Sequence, residues 1–379
     1  MNKNEALMSK CIKNAYKAKG STKTNPLVGA AVCTGDDVFF GIHEKYGFAH
    51  AEVNAINNAG DKAFKSELFV TLEPCSTYGK TPPCVDKIIN AGIKKVYVGV
   101  LDVNPKHAGR GISILKNAGI DVEYGILPDK SSILIEDFIK YHRKQLPYVT
   151  LKTAISLDGK IAAYTGDSKW VTCEKSRQYG HKLRGECDAV ITGVGTVLAD
   201  NPLMTNRMYK KLGQPARVIL DSFLKTPVDL DVIKSVDISP VIIYTSKNID
   251  NKKADLLKSN NVEIIEVDEY NGMLDLESVL KSLYNKGFMN VLVEAGAKIN
   301  GSFFDLGLVD KLEAFIAPKI IGGENAVSCI GGKGIASMSQ AYTFKSSVMR
   351  KSGDDIHITA RINDYTKEVI EFTKNFQVE

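Results

Sequence analysis

Apolar positions in roughly the first 145 residues alternate between a helical period and an extended period. In residues 5–19, Leu7, Met8, Cys11, Ile12 and Ala15 share one face of a predicted amphipathic helix. Further helices are predicted at 51–59, 85–91, 111–118 and 129–142, and strands at 27–33, 38–41, 67–72, 94–100 and 120–124. Alternation of strands and helices indicates an α/β sheet with helices on both faces.

The pattern restarts after the segment YHRKQLPYV, where charged residues give way to apolar ones around a proline. We therefore predict a first domain at 1–146, a second α/β domain at 147–363 and a charged tail at 364–379. Strands of the second domain are predicted at 148–155, 188–192, 217–221, 240–244, 263–266, 290–294, 312–317 and 355–361.

Composition narrows the class of protein. The chain has 379 residues, 44% of them hydrophobic and 25% charged, which is ordinary for a globular protein. A net charge of +5 does not suggest a nucleic-acid or membrane binder, whereas an anionic small substrate fits it. The first residues lack the apolar core of a signal peptide, and no apolar run could span a bilayer, so we expect a cytoplasmic protein.

The stretch PCSTYGKTPPC contains two of the seven cysteines, Cys75 and Cys84, with eight residues between them. An odd cysteine count in a reducing compartment disfavours disulfides. His50 and Glu52 stand upstream at a predicted helix start. One imidazole, two thiolates and a carboxyl group therefore lie at the ends of predicted strands or the starts of predicted helices. This set suits a catalytic zinc, which keeps a position for water, although two unrelated thiols remain an alternative.

The order His-x-Glu, Pro-Cys, Cys is also the order found in zinc nucleobase deaminases, where the two cysteines stand closer together. Zinc lowers the pKa of a bound water to about 7. A carboxylate at Glu52 could then take a proton from that water and deliver it to a leaving amine.

The second half has no GxGxxG fingerprint after a first strand. Instead, a strand at 290–293 leads through Glu294 and Gly296 into a helix, which could serve as a phosphate site or be an ordinary strand–helix connection. Gly193 to Thr196 follows another strand in the same way. Trp170 is the only tryptophan, and packing is its simplest role.

Motifs in both halves together resemble one family. They are NPLVGA, HAEVNAI, LEPCSTYGKTPPC, DVNPKHAGRGI, LKTAISLDGKIA, GDSKWVT, GVGTVLADNP and VEAGAKINGSFF. The chain resembles the bifunctional riboflavin-biosynthesis deaminase–reductase (RibD) family over nearly its whole length. The resemblance implies a cytidine-deaminase-like α/β/α domain with one zinc ion, followed by a dihydrofolate-reductase-like α/β domain that uses NADPH.

The resemblance also implies a reaction sequence. A diaminopyrimidinone that carries a ribosylamino phosphate loses an exocyclic amine to water, and NADPH then reduces the ribosyl group to ribityl. In the first domain it implies His50, Cys75 and Cys84 as zinc ligands and Glu52 as the proton shuttle. It places Asn25, His43 and Lys80 around the substrate, while a hydrogen-bonded structural histidine remains an alternative for His43.

In the second domain the resemblance implies two sets of residues. The positions that match cofactor contacts are Ala154, Trp170, Thr196, Asp200, Ser222, Gly296, Ala297, Lys298, Ile299, Asn300, Gly301 and Ser302. The positions that match substrate contacts are Lys152, Ser168, Arg184, Met204, Arg207 and Glu294. Arg184 and Arg207 could hold a phosphate in fork geometry, although exposed surface arginines remain the simpler interpretation of the sequence alone.

Two positions depart from the family pattern. Thr77 stands where the family usually has histidine in PCSH, and Asn54 stands where it has histidine in HAEVH. Neither residue is a predicted metal ligand. We predict an active deaminase whose KM is raised rather than one whose kcat is lost.

Two other functions are consistent with the zinc motif. One is a nucleic-acid or free-nucleobase deaminase with an accessory domain, against which the modest charge argues. The other is a zinc-stabilised binding module without catalysis. We expect a phosphorylated pyrimidine as the partner molecule, no nucleic acid, no membrane, and a homo-oligomer, either a dimer or a tetramer.

Overall fold

The computed structural model describes residues 1–79, 81–104 and 107–377. The chain divides into two compact units. The first comprises Met1–Gln145 together with Tyr365–Glu379, and the second comprises Leu146–Asp364.

The first unit is built on a mixed sheet. Its described strands are β1 (Gly29–Thr34), β2 (Asp37–Ile42), β3 (Glu67–Leu72), β4 (Lys95–Val100) and β5 (Asp121–Tyr124). In the order β2-β1-β3-β4-β5, β1 pairs antiparallel with β2 and β3, and β3, β4 and β5 are parallel. The central strands are almost fully buried, as the continuous apolar runs of β3 and β4 require.

Helices cover this sheet. They are α1 (Lys3–Ala15), α2 (Ala51–Ala59), α3 (Cys84–Asn90), α4 (Arg110–Asn117), α5 (Pro128–Leu134), α6 (Glu136–Lys144) and α13 (Thr366–Asn375). Short 3-10 turns follow α1 and α2, at Tyr16–Ala18 and Gly60–Ala63. Asn2 and Glu5 form a reciprocal capping box that fixes the start of α1.

The second unit contains a nine-stranded sheet in the order β11-β10-β9-β8-β14-β6-β15-β18-β17. The strands from β11 to β15 are parallel, and β18 and β17 add antiparallel pairs at one edge. Its strands are β6 (Tyr148–Ser156), β8 (Ala189–Gly193), β9 (Ala216–Leu220), β10 (Val241–Thr245), β11 (Val262–Glu266), β14 (Asn290–Val293), β15 (Lys311–Ala317), β17 (Ser346–Ser352) and β18 (Asp355–Arg361).

Short strands and helices complete this unit. The pairs β7 (Lys160–Ala162) with β16 (Val327–Ser328), and β12 (Glu269–Tyr270) with β13 (Met273–Leu274), form two-stranded ribbons. The helices are α7 (Glu174–Glu186), α8 (Val194–Asp200), α9 (Asp231–Lys234), α10 (Asn251–Ser259), α11 (Leu276–Asn285) and α12 (Ala297–Asp305), with a 3-10 turn at Met338–Gln340.

The predicted α/β class is confirmed in both halves. The helix predicted at 129–142 is instead two helices, because the backbone of Ile135 leaves the helical region between α5 and α6. The segment predicted as a charged tail contains α13, which buries Val369 and Thr373 within the first unit. Across the described part of the chain, we find no helix with both the length and the apolar character needed to cross a membrane.

Candidate functional site

Three element ends bring the predicted metal ligands of the first unit together. His50 is the N-cap of α2, Cys75 lies just beyond the end of β3, and Cys84 is the first residue of α3. Since β3 lies inside the sheet and both helices begin at the same end of it, residues distant in sequence share one small volume.

The distances fit a metal ion. Nδ1 of His50 lies 3.2 Å from Sγ of Cys84 and 3.5 Å from Sγ of Cys75, and the three ligand atoms all lie within 4.8 Å of one another. Tetrahedral zinc with bonds of about 2.0–2.3 Å holds its ligand atoms about 3.5 Å apart. The backbone N–H of Cys84 also donates to Sγ of Cys75, at 3.3 Å.

The environment changes the acidity of these groups. Glu52 is only 3% exposed, and burial raises the pKa of its carboxyl to about 7. Hydrogen bonds from Cys84 and His50 lower the pKa of the Cys75 thiol to about 4. The site therefore offers a ready thiolate beside a carboxyl group that can hold or release a proton near neutral pH.

A cavity of about 340 Å³ opens onto this centre, and both Asn25 and His43 line it. Nδ1 of His43 donates to the carbonyl of Ala49, at 3.1 Å. Because burial lowers the pKa of His43, its neutral Nε2 accepts from the amide of Asn25, also at 3.1 Å. His43 is therefore both a hydrogen-bonded structural residue and part of the cavity wall, where it orients Asn25.

Asn54 and Thr77, the two residues that depart from the family pattern, have different surroundings. Nδ2 of Asn54 donates to the carbonyls of Ile42 (2.9 Å) and Ala49 (3.4 Å), so this side chain ties α2 to the end of β2. Oγ1 of Thr77 lies 3.5 Å from Nε2 of His107, another residue of the cavity wall. Lys80, predicted to contact substrate, lies outside the described residues.

Several cavity residues escaped the prediction. Phe138, Tyr141 and His142 reach the cavity from α6, and their spacing of three and four residues on one helix face was the available signal. Asp102, Asn104 and His107 reach it from the connection after β4. In the sequence these three residues are marked only by the family motif DVNPKHAGRGI.

Glu73, a buried carboxylate, is another residue that the sequence did not single out. Its two oxygens accept from the backbone N–H groups of Asp102 (3.1 Å), Gly109 (2.9 Å) and Gly111 (2.9 Å). Burial raises the pKa of Glu73, while these hydrogen bonds oppose the rise. Glu73 thus fixes the wall of the cavity directly beside Pro74 and Cys75.

In the second unit, three predicted substrate residues meet in one buried cluster. Oε2 of Glu294 accepts from Nε (2.8 Å) and Nη2 (2.6 Å) of Arg184, while Nζ of Lys152 lies 3.7 Å from Oε1. Glu294 follows β14 and Lys152 lies on the adjacent strand β6. Arg184 is therefore not an exposed surface arginine, since one edge of its guanidinium is bound to a carboxylate.

More basic groups surround this pair. Burial, followed by the charges of Arg184 and Arg207, lowers the pKa of His181, whose Nδ1 donates to the carbonyl of Thr205. Nη1 of the exposed Arg207 donates to Oγ1 of Thr205, at 3.4 Å. The neighbouring Met204 is buried. One guanidinium and one ammonium contact the single carboxylate of Glu294, and burial and the charge of Arg184 lower the pKa of the nearby Arg207, so the site is suited to an anion.

Three of the residues predicted to bind the cofactor lie at the carboxyl ends of neighbouring strands. Thr196, Gly296 and Ser222 follow β8, β14 and β9, which are neighbours in the sheet and parallel. A Cβ at Gly296 would lie 4.0 Å from Oγ1 of Thr196, so the N-termini of α8 and α12 stand side by side. Carboxyl ends of parallel strands with adjacent helix N-termini are a usual site for phosphate-containing ligands.

The stretch 296–302 serves two purposes. Gly296, Ala297 and Lys298 lie at the open start of α12, whereas Asn300, Gly301 and Ser302 are buried in it. Nδ2 of Asn300 donates to the carbonyls of Ala295 and Cys329. Ile299 packs against Gly193. The buried residues therefore hold the loop at 329–332 against the helix.

The remaining predicted residues lie nearer the surface. Ala154 is on the same face of β6 as Lys152. Trp170 is 63% exposed, with the guanidinium of Arg177 4.6 Å from its ring centroid, so it is not a core residue. Asp200 is exposed at the end of α8, and Ser168 is half-buried in the loop before Trp170.

Two family profiles match the chain. Residues 1–100 match the cytidine and deoxycytidylate deaminase zinc-binding region, and residues 147–358 match the RibD C-terminal domain. These stretches contain the predicted metal ligands and the buried Glu294 cluster, respectively.

Relatives and solved structures agree with the profiles. The chain is 42% identical over 357 residues to riboflavin biosynthesis protein RibD of Bacillus amyloliquefaciens, covering 94% of this chain and 95% of the relative. It is similar to the structure of Acinetobacter baumannii RibD, with a TM-score of 0.84, 34% identity and coverage of 95% and 99%. It is also similar to a Thermotoga maritima diaminohydroxyphosphoribosylaminopyrimidine deaminase/5-amino-6-(5-phosphoribosylamino)uracil reductase, with a TM-score of 0.82, 36% identity and the same coverage.

Proposed function

Because the chain belongs to the RibD family of bifunctional riboflavin-biosynthesis deaminases and reductases, we propose that its two units act in turn on one phosphorylated pyrimidine. Zinc is the cofactor of the deaminase and NADPH that of the reductase. The first unit would deaminate a diaminopyrimidinone that carries a ribosylamino phosphate. The second would reduce the ribosyl group of that product to ribityl, which yields a ribitylaminouracil phosphate.

The observation that carries the deaminase assignment is the meeting of His50, Cys75 and Cys84 beside the buried Glu52. Bound zinc supplies Lewis acidity that makes water a nucleophile near neutral pH. Glu52, with a pKa near 7, can accept a proton from water and donate it to the departing amine. Asn25 and His43 line the cavity where they can orient the pyrimidine.

For the reductase, Lys152, Arg184 and Arg207 supply the positive charge that a substrate phosphate requires. The carboxylate of Glu294 contacts both Arg184 and Lys152 and holds the two side chains in place. NADPH supplies the hydride, and we assign its phosphates to the adjacent starts of α8 and α12, near Thr196 and Gly296. Lys152 and Ala154, on one face of β6, would lie between the two ligands.

A coupled assay tests the proposal. The phosphorylated diaminopyrimidinone is supplied with NADPH, and ammonia release, NADPH oxidation and zinc content are measured for the wild type, Glu52→Gln and Cys84→Ser. We expect Glu52→Gln to lose deamination while it keeps zinc and still reduces the deaminated intermediate. Cys84→Ser should lose zinc together with deamination.

Two results would contradict the proposal. Deamination of single-stranded DNA, tRNA or a free nucleobase in preference to the phosphorylated pyrimidine would favour a different zinc deaminase. A Glu52→Gln variant with every activity intact would favour a non-catalytic zinc module.

Homo-oligomerisation and a cytoplasmic location also remain part of the proposal. The support for self-association is the edge strand β17, on which the apolar side chains of Val348 and Met349 are exposed.

A further inference from the structure

The helix α13 packs against the segment that supplies one wall of the deaminase cavity. We call the connection between β4 and α4 the cavity loop; its described residues are 101–104 and 107–109. It carries Asp102, Asn104 and His107 into the cavity wall. The chain reaches this region again at Tyr365, after the whole of the second unit.

One contact is a buried hydrogen bond at the start of the cavity loop. The backbone N–H of Leu101 donates to Oγ1 of Thr373, at 3.1 Å. The Thr373 hydroxyl in turn donates to the carbonyl of Val369 one turn earlier, at 2.7 Å. Since its proton is directed into α13, the hydroxyl oxygen is free to accept, and both Leu101 and Thr373 are fully buried.

A second contact holds the other end of the loop. Gly109 has a φ of +82°, and a Cβ placed on it would lie 2.2 Å from the ring of Phe376. The aromatic ring therefore rests directly on the Gly109 backbone. The hydroxyl of Tyr124 donates to the carbonyl of Phe376, at 2.7 Å, which fixes the end of α13 to β5.

The cavity side of the same loop is held by Glu73. Its carboxylate accepts from the backbone N–H groups of Asp102 and Gly109. Asp102 is the neighbour of Leu101, and Gly109 is the residue on which the Phe376 ring rests. The loop is thus fixed between a carboxylate next to the metal ligands and a helix from the far end of the chain. Glu73 holds the cavity side of the loop, and α13 holds the loop at Leu101 and Gly109.

We propose that α13 positions the cavity loop for deamination, with Thr373 and Phe376 as positioning residues. The inference rests on the proposed deaminase function of the first unit and adds a part that lies outside the stretches matched by both family profiles. Thr373 and Phe376 act through Asp102, Asn104 and His107. The metal ligands stand on α2, α3 and the end of β3, so they keep their places when the loop shifts.

The test uses full-length Thr373→Val, which keeps the side-chain shape but removes the acceptor for Leu101, and Phe376→Ala. Thr373→Ser keeps the acceptor and serves as the rescue variant, and Lys374→Ala changes an exposed residue of the same helix. For each protein, kcat and KM of deamination, zinc content, and the kinetics of NADPH-dependent reduction of the deaminated intermediate are measured well below the unfolding temperature.

We expect deamination to weaken in Thr373→Val and Phe376→Ala by roughly tenfold, mainly as a higher KM, since a small displacement of binding groups costs one to two orders of magnitude. Zinc content and reduction should equal those of the wild type, as should all properties of Thr373→Ser and Lys374→Ala. Hydrogen exchange of the cavity-loop amides should become faster in the first two variants alone.

Other results would overturn the inference. Unchanged deamination kinetics with a lower melting temperature would make α13 a purely structural element, and zinc loss would place its effect on the metal centre instead. A wild type that does not deaminate the phosphorylated pyrimidine contradicts the proposed function before any variant is compared. In that case, unchanged hydrogen exchange of the loop in Thr373→Val would also refute the positioning role.

Discussion

Thr77 shows what one residue changes at the metal centre. It stands two residues after Cys75, which we assign to the zinc site, at a position where the family usually has histidine, and its hydroxyl lies 3.5 Å from Nε2 of His107. An imidazole therefore still borders this part of the cavity, but the cavity loop contributes it. The metal ligands and Glu52 do not depend on Thr77, so the chemistry is expected to survive.

We predict that the wild type deaminates its pyrimidine and that Thr77→His lowers the KM several-fold with little change in kcat. The reason is that an added imidazole contributes binding contacts without touching the proton transfer. Tyr78→His, at the exposed position next to Thr77, is the matched control. Normal zinc content without detectable deamination in the wild type would refute the prediction.

A second residue-scale prediction concerns Glu313, which is buried against His357 (2.6 Å), Thr359 (2.7 Å) and Lys311 (3.3 Å). Burial alone would raise its pKa, but the hydrogen bond from His357 and the charge of Lys311 hold it at about 2, below its usual 4.5. A depressed carboxyl pKa stabilises the fold above the unfolded pKa, and that stabilisation disappears as the pH falls toward 2.

Accordingly, Glu313→Gln should lower the free energy of unfolding of the second unit by about 3 kcal/mol at neutral pH. The difference from the wild type should shrink between pH 4.5 and pH 2, as calorimetry at several pH values can measure. Glu324→Gln, at an exposed loop position, is the matched control. An equal difference at pH 3 and pH 7 would contradict the assignment.

That His50, Cys75 and Cys84 lie together could be predicted from sequence, because their order and their places at element ends carry chemical meaning. The places of Glu73 and His107 in the cavity wall could not be predicted, because they depend on the cavity loop, whose position is set by packing between distant segments. The sequence alone leaves Arg184 open to two interpretations, a phosphate contact or a surface residue, because its partner Glu294 is 110 residues away in the chain.

At the scale of elements, the start of α12 depends on a close approach of two backbones. A Cβ on Gly301 would lie 2.2 Å from the carbonyl carbon of Gly331, and the N–H of Gly331 donates to the carbonyl of Ala297 at 2.9 Å. The loop at 329–332 therefore braces the helix end that we assign to the NADPH phosphates.

We predict that Gly301→Ala costs about 1–3 kcal/mol of stability through overpacking and raises the KM for NADPH. The measurements are thermal unfolding and initial rates of reduction at varied NADPH. Gly213→Ala is the control, since no described atom lies within 4 Å of its added Cβ. A variant with unchanged stability and NADPH kinetics would show that the loop can move aside at no cost.

Elements with a clear period were predictable, and very short ones were not. All eight strands predicted for the second half match strands of the large sheet, because most carry a run of apolar residues and β18 alternates apolar with polar ones. The ribbons formed by β7, β16, β12 and β13 have two or three residues per strand, too few to show a period. β17 was missed because it is mostly polar and exposed, as suits an edge strand.

On the scale of the whole molecule, β17 ends the nine-stranded sheet with one unpaired side among the described strands. Val348 and Met349 are exposed on it, and Met349 is 68% exposed. Apolar side chains on such an edge favour association with another chain.

We therefore predict that Met349→Lys shifts the protein toward a smaller species, measured by light scattering coupled to gel filtration over a range of concentrations. Lys351→Met, on the same strand, is the reciprocal control and should not dissociate the assembly. A wild type that is monomeric at micromolar concentration would refute both the oligomer and the role of this edge.

The division of the chain into two units has a consequence for its synthesis. Leu101 and Thr373 are hydrogen-bonded across 272 residues, and roughly 220 residues of the second unit are made between the two parts of the first. At 5–20 residues per second, a ribosome needs roughly 10 to 45 s to bridge that interval. During this time the nascent first unit lacks the side chains of Phe372 and Phe376 that pack against its core, so these contacts form only after the second unit has emerged.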